Sequence, residues 1–94
     1  MIKSFRSKRL QRYWTKGDTS GLPADHLKRL NIRLTALDIA ASLKEMDVPG
    51  WHFHSLSADQ AGSYAVRVIG NWRLTFACDD QGPHAIDADY EDYH

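Results

Sequence analysis

The sequence predicts an α+β fold: two helices from the first half pack on a largely antiparallel sheet from the second, in the order β-α-α-β-β-β-β. Three observations lead there. Leu27, Leu30, Leu34, Leu37 and Ala41 recur at helical spacing. Residues 65–76 read as two β-rich runs around a Gly70-Asn71 turn. Residues 79–83 have turn composition and precede another alternating run. At 94 residues the chain is expected to be a single domain, 1–94, burying about two-thirds of its unfolded surface.

Taken in order, Ile2 and Phe5 flank Lys3 and Ser4, so residues 1–5 are expected to form a first strand. Ser7 is placed to cap a helix over 8–16, where Leu10, Tyr13 and Trp14 share one face and Lys8, Arg9, Arg12 and Lys16 the other. Gly17 ends that helix, and 17–23 is a loop by composition. Pro23 suits the first turn of a second helix over about 24–43, in which Ile32, Ala36 and Ala40 back the leucine stripe. Lys28, Arg29 and Arg33 are expected on its exposed face. Pro49-Gly50 closes the connection to a strand over 51–56, with Trp51, Phe53 and Ser55 on one side and His52, His54 and Leu56 on the other. In the hairpin, Trp72, Leu74 and Phe76 share a buried face, and Arg73 and Thr75 a polar one. Residues 84–90 close the sheet, with Ile86, Ala88 and Tyr90 facing away from Asp87 and Asp89.

Lys and Arg balance Asp and Glu at twelve each, but the halves differ. Residues 1–50 carry ten basic side chains against five acids, and 51–94 two against seven. A basic half suits a polyanionic partner, and a bipolar pattern also suits complementary halves of one fold. No apolar run approaches membrane-span length, and the opening residues lack a secretory signal pattern. The lone Cys78, read as a small core residue, cannot form an internal disulfide, so a cytoplasmic location is expected.

Phosphate-binding loops, nucleophile elbows and zinc-protease motifs are absent from the sequence. His52 and His54 are a pair without a local third ligand, so neither metal nor cofactor is expected. The chemistry resides elsewhere. Arg73 puts a permanently charged, forked donor on a rigid strand, suited to phosphate oxygens. Lys8, Arg9, Arg12 and Arg33 together are candidates for backbone phosphates, against the simpler reading of solvated helix faces. The last four residues, Glu91-Asp92-Tyr93-His94, bring acids, a phenol and an imidazole together. Such groups transfer protons, and the imidazoles of His54 and His94 are suited to do so near neutral pH.

These residues carry a resemblance. His54 through Leu56 and Gly62, Ala65-Val66-Arg67-Val68, Asn71-Trp72-Arg73-Leu74-Thr75-Phe76 and the terminal Asp92-Tyr93-His94 resemble the HigB toxins of bacterial toxin–antitoxin modules. That family belongs to the RelE-like superfamily, and the likeness extends to residues 1–5 and the 17–23 loop. It implies a RelE-like fold and an endoribonuclease that cuts mRNA in the ribosomal A site, inhibiting translation. The implied partners are the 70S ribosome, mRNA and a helix-turn-helix HigA antitoxin, with operator DNA reached only through the antitoxin complex and no membrane involved.

Position by position, the implied catalytic set is His54, Arg73, Asp92, Tyr93 and His94. Lys8, Arg9, Arg12 and Arg33 would bind ribosomal RNA, and Arg67 either holds a neighbouring phosphate or supports the sheet. Ser57 and Ala58 stand where relatives often carry glycine and sometimes lysine. The alternative is a non-catalytic RelE-like module that acts through an antitoxin complex at operator DNA. Retention of the histidine and arginine positions argues against it. An RNA-binding domain without cleavage is disfavoured because the sheet lacks the exposed aromatics of an RRM-like surface.

Overall fold

The computed structural model describes residues 1–56, 62–79 and 84–92. Helices α1 (Lys8–Lys16) and α2 (Leu27–Ile39) pack on a four-stranded sheet of β1 (His54–Ser55), β2 (Ser63–Ile69), β3 (Trp72–Cys78) and β4 (Ala85–Asp92). The strands lie in sequence order and each neighbouring pair is antiparallel. The expected α+β architecture is therefore observed. Among the described residues, no helix is long and apolar enough to cross a membrane.

Local signals account for α1. The Ser7 side chain accepts from the Leu10 amide at 3.2 Å, and Gly17 closes the helix in the left-handed region at φ 70°, donating to the Tyr13 carbonyl. Leu10 is fully buried, while Lys8, Arg9, Arg12 and Lys16 are exposed.

The second helix is shorter than its periodicity suggests. A 3₁₀ turn (Ala24–His26) precedes it, and the chain leaves it at Ala40, where ψ is 130°. A second turn (Leu43–Met46) then starts with a capping box, in which Ser42 caps and the Glu45 carboxylate accepts from the Ala41 and Ser42 amides. Those side-chain bonds compete with helix continuation. Ala41 is consequently exposed, and Ile32, expected on the apolar stripe, is 48% exposed. Leu30, Leu34 and Leu37 form the buried stripe as expected, and two polar residues, His26 and Arg33, are buried with them.

The expected first strand is reduced to two isolated parallel bridges, Ile2 to Ala85 and Phe5 to Ala88. The segment runs beside β4 but cannot pair continuously, because β4 bulges. Asp87 has φ 53° and donates its amide to Ser4 Oγ at 2.9 Å, and the register with β3 slips between Thr75 and Ala77. The same bulge corrects the face assignment of β4. Tyr90 pairs with Leu74 on the helix side, whereas Ile86 pairs with Ala77 on the other.

The expected strand over 51–56 shrinks to His54–Ser55. Positive φ at Gly50 (90°) and His52 (50°) bends the chain before it can pair, and Trp51 drops into the core. The β2–β3 hairpin forms as expected around Gly70-Asn71, with Gly70 at φ 57° in the first central position, as a type II′ loop requires. Trp72, Leu74 and Phe76 face the core. Thr75, expected on an exposed face, is buried, since β2 and β4 flank it on both sides of β3. Cys78 is half-buried at the core margin, where burial pushes its thiol pKa up.

Candidate active site

The sheet register puts two of the expected catalytic residues, His54 and Arg73, on the face away from the helices. Arg67 pairs with Arg73, and Arg73 with Glu91. His54 pairs with Ala65, which pairs with Thr75. Side chains directly opposite one another share a face, and positions two apart on a strand return to it. His54, Arg67, Arg73 and Glu91 therefore stand on one face in adjacent rows, about 7 Å apart along the strands.

The two arginines converge. Arg67 Nε and Arg73 Nη1 both donate to the Gly70 carbonyl at 3.0 Å, and Arg73 Nη1 also lies 3.3 Å from the Trp72 carbonyl. Each guanidinium has five N–H donors, so both retain donors beyond these bonds. They line an open cleft with His52, Gly70 and Asn71. Two guanidinium groups with spare donors at one open cleft are an arrangement chemically suited to an anion.

His54 is exposed, and its Nδ1 lies 2.7 Å from the His52 carbonyl oxygen. A carbonyl can only accept, so Nδ1 carries the proton. In the neutral ring the lone pair then sits on Nε2, available to a substrate. The left-handed His52 backbone brings this carbonyl within reach of the ring two residues on. Spacing marks His52 only as half of an unsupported metal pair, and no periodicity signals its carbonyl's role.

Behind the cleft, on the core side, Trp72 stacks on Tyr90 with ring centroids 4.8 Å apart. His26 meets Trp72 edge-on at 5.3 Å, and its Nδ1 is joined to the Tyr90 hydroxyl by a buried 2.9 Å hydrogen bond. Burial, opposed by the Arg33 cation, pushes the Tyr90 pKa well above its ordinary value and keeps the phenol protonated. The sequence contains no signal for His26, since its partner lies 64 residues away.

Arg33 departs from expectation. It is only 8% exposed, donates from Nε to the Arg67 carbonyl at 2.8 Å and from Nη1 to the Arg29 carbonyl at 3.1 Å, and lies 4.8 Å from the Trp51 ring centroid. Burial and the Arg29 cation lower its pKa from the usual guanidinium value, yet arginine retains its proton at any working pH. It belongs to the core, not to an exposed basic face. Arg9 reaches the Gly21 carbonyl at 3.2 Å, and Arg12 lies 3.6 Å from Asp18. Lys8, Gln11, Arg12, Thr15 and Lys16 line a shallow groove along α1.

In the tail, Asp92 pairs with Trp72, and alternation puts its side chain on the Trp72 side of the sheet. Glu91, not assigned a role from sequence, is the acid opposite Arg73. Tyr93 and His94 lie outside the described residues, as do Ser57 and Ala58.

A family model described as the RelE-like toxin of type II toxin–antitoxin system HigB matches residues 3–94. Endoribonuclease HigB of Proteus vulgaris is 39% identical over 94 residues, covering the whole of both chains. The fold is similar to one in the YoeB–YefM complex from Staphylococcus aureus, with TM-score 0.59 and 18% identity over 100% of this chain and 98% of that one. The solution structure of a conserved hypothetical protein from Helicobacter pylori follows, with TM-score 0.50 and 16% identity over 97% of this chain and 96% of that one.

Proposed function

Because this chain belongs to the HigB family of RelE-like toxins of type II toxin–antitoxin systems, we propose that it is an endoribonuclease that cleaves mRNA in the ribosomal A site. The observation that carries this reading is the pairing, on one open sheet face, of a double-arginine cradle with a histidine whose Nε2 lone pair is free. A HigA-like antitoxin neutralises the toxin, and operator DNA is met only through that complex.

The reaction needs no metal. His54 Nε2 takes the proton of the ribose 2′-hydroxyl as the 2′-oxygen attacks the adjacent phosphorus. The bond from phosphorus to the 5′-oxygen breaks, leaving a 2′,3′-cyclic phosphate and a 5′-hydroxyl. Arg73 stabilises the charge on the phosphorane oxygens, where a preorganised cation acts most strongly, and Arg67 holds the neighbouring phosphate. Asp92 is turned to the Trp72 side of the sheet, so His94 is the candidate for protonating the leaving oxygen, and Tyr93 stacks on an unpaired base. Lys8, Arg9 and Arg12 bind ribosomal RNA phosphates.

Primer extension on mRNA from translating ribosomes tests this, comparing the wild type with Arg73→Ala and with a chain lacking Asp92-Tyr93-His94. Cleavage within in-frame codons, lost in both variants while circular dichroism stays native, supports the assignment. Absence of cleavage by the folded wild type with ribosomes present would sink it.

A further inference from the structure

A buried guanidinium is costly in a protein this small, and an apolar side chain of similar volume commonly packs in such a place with less penalty. What Arg33 touches explains its presence. In an antiparallel sheet the N–H and C=O of one residue point to the same neighbour. β1 is only two residues long and pairs with β2 at Tyr64 and Ala65, so it stops short of Arg67. The exposed edge of Arg67 is completed from elsewhere. Its N–H donates to the Trp51 carbonyl at 2.6 Å, and its C=O accepts from Arg33 Nε at 2.8 Å.

Arg33 thus holds both ends of one arrangement. Its Nε bonds the Arg67 backbone, and its guanidinium covers the ring of Trp51, the residue whose carbonyl takes the Arg67 amide. The next residue, His52, is the left-handed position whose carbonyl receives the His54 Nδ1 proton. We propose that Arg33 is a positioning residue for the active site: it clamps Arg67 and the Gly50–His52 turn, and through that turn sets the His54 tautomer. It acts through the core and touches no RNA. This inference rests on the nuclease reading for its catalytic meaning, but not for its structural content.

The test combines two readouts on purified full-length protein. Long-range ¹H–¹⁵N spectra of the imidazoles, without RNA and at about pH 8.5 where imidazoles are neutral, report which His54 nitrogen is protonated. Single-turnover cleavage on programmed ribosomes reports activity. Arg33→Met is expected to fold and to bind ribosomes as the wild type does, to shift His54 toward the Nε2-protonated form, and to cleave at least tenfold more slowly. Arg33→Lys can still donate to the Arg67 carbonyl but lacks the fork, and is expected to be intermediate in both readouts. Wild-type spectra and rates in a folded Arg33→Met would overturn the proposal. Should that variant not fold, wild-type values in Arg33→Lys would overturn it equally. The tautomer is read without RNA, so a wild-type protein that cuts nothing refutes the nuclease reading and leaves the positioning role decided by the spectra.

Discussion

Arg67 and Arg73 stand directly opposite each other on β2 and β3 and donate to the same Gly70 carbonyl. Like charges facing each other across strands are destabilising, so the free protein holds them together at some cost. An anion bridging the two relieves it. Phosphate or a short single-stranded RNA is therefore expected to raise the melting temperature, with about 2.7 kcal/mol of stabilisation at a ligand concentration of 100 times Kd. Differential scanning fluorimetry measures this, and the rise is expected to vanish in Arg73→Ala.

Removing either partner in the chemistry should reduce turnover without disturbing the core, because His54 is exposed and Arg73 lies off the apolar face. His54→Ala and Arg73→Ala are each expected to lower the cleavage rate by about 10²–10⁴-fold. Single-turnover assays on ribosomes check this. Normal rates in both variants would move the site off the sheet face.

Tyr90 makes a prediction in alkaline solution. Its folded pKa lies above the ordinary tyrosine value of 10.0 because burial disfavours the phenolate. The stability associated with the neutral phenol is therefore complete below pH 10.0 and is lost as pH rises toward the elevated folded value. Tyr90→Phe loses the hydrogen bond to His26, about 1 kcal/mol at neutral pH, but should lose less on alkalinisation than the wild type. Urea melts between about pH 8 and 11 compare the two slopes.

The α1 cations and Arg33 should behave differently toward ribosomes. Exchanging Lys8 and Arg12 for glutamine is expected to weaken association and to flatten the dependence of log K on log salt by about one unit for each phosphate no longer neutralised. Arg33→Met should leave that slope unchanged, because its guanidinium is spent on backbone carbonyls. Salt titrations of ribosome binding distinguish the two classes.

Much of the fold could be read from local pattern. The leucine stripe of α2, the Ser7 and Gly17 caps and the Gly70-Asn71 hairpin all depend on residues within a few positions of one another. Local pattern misleads where distant groups intervene. Arg33 reads as an exposed cation because Lys28 and Arg29 lie about one turn before it, yet the acceptor of its Nε is a carbonyl 34 residues away. Ile86 exchanges faces because one extra residue at Asp87 reverses the alternation. The strand over 51–56 loses its first half to two left-handed residues, one of them a histidine that periodicity cannot identify as such.

The α+β class, the hairpin with Arg67 and Arg73 on it, and the family resemblance borne out by the match over residues 3–94 all follow from the order of the residues. Side-chain type and short spacing suffice for these, since helix and strand periods are local properties. Packing of the folded chain is what puts His54 on a face with both arginines, sets Glu91 opposite Arg73, and draws His26 and Arg33 into the core behind them. Those relationships depend on strand register and on which unpaired carbonyls the short β1 leaves to be satisfied. Both are settled when distant segments pack together.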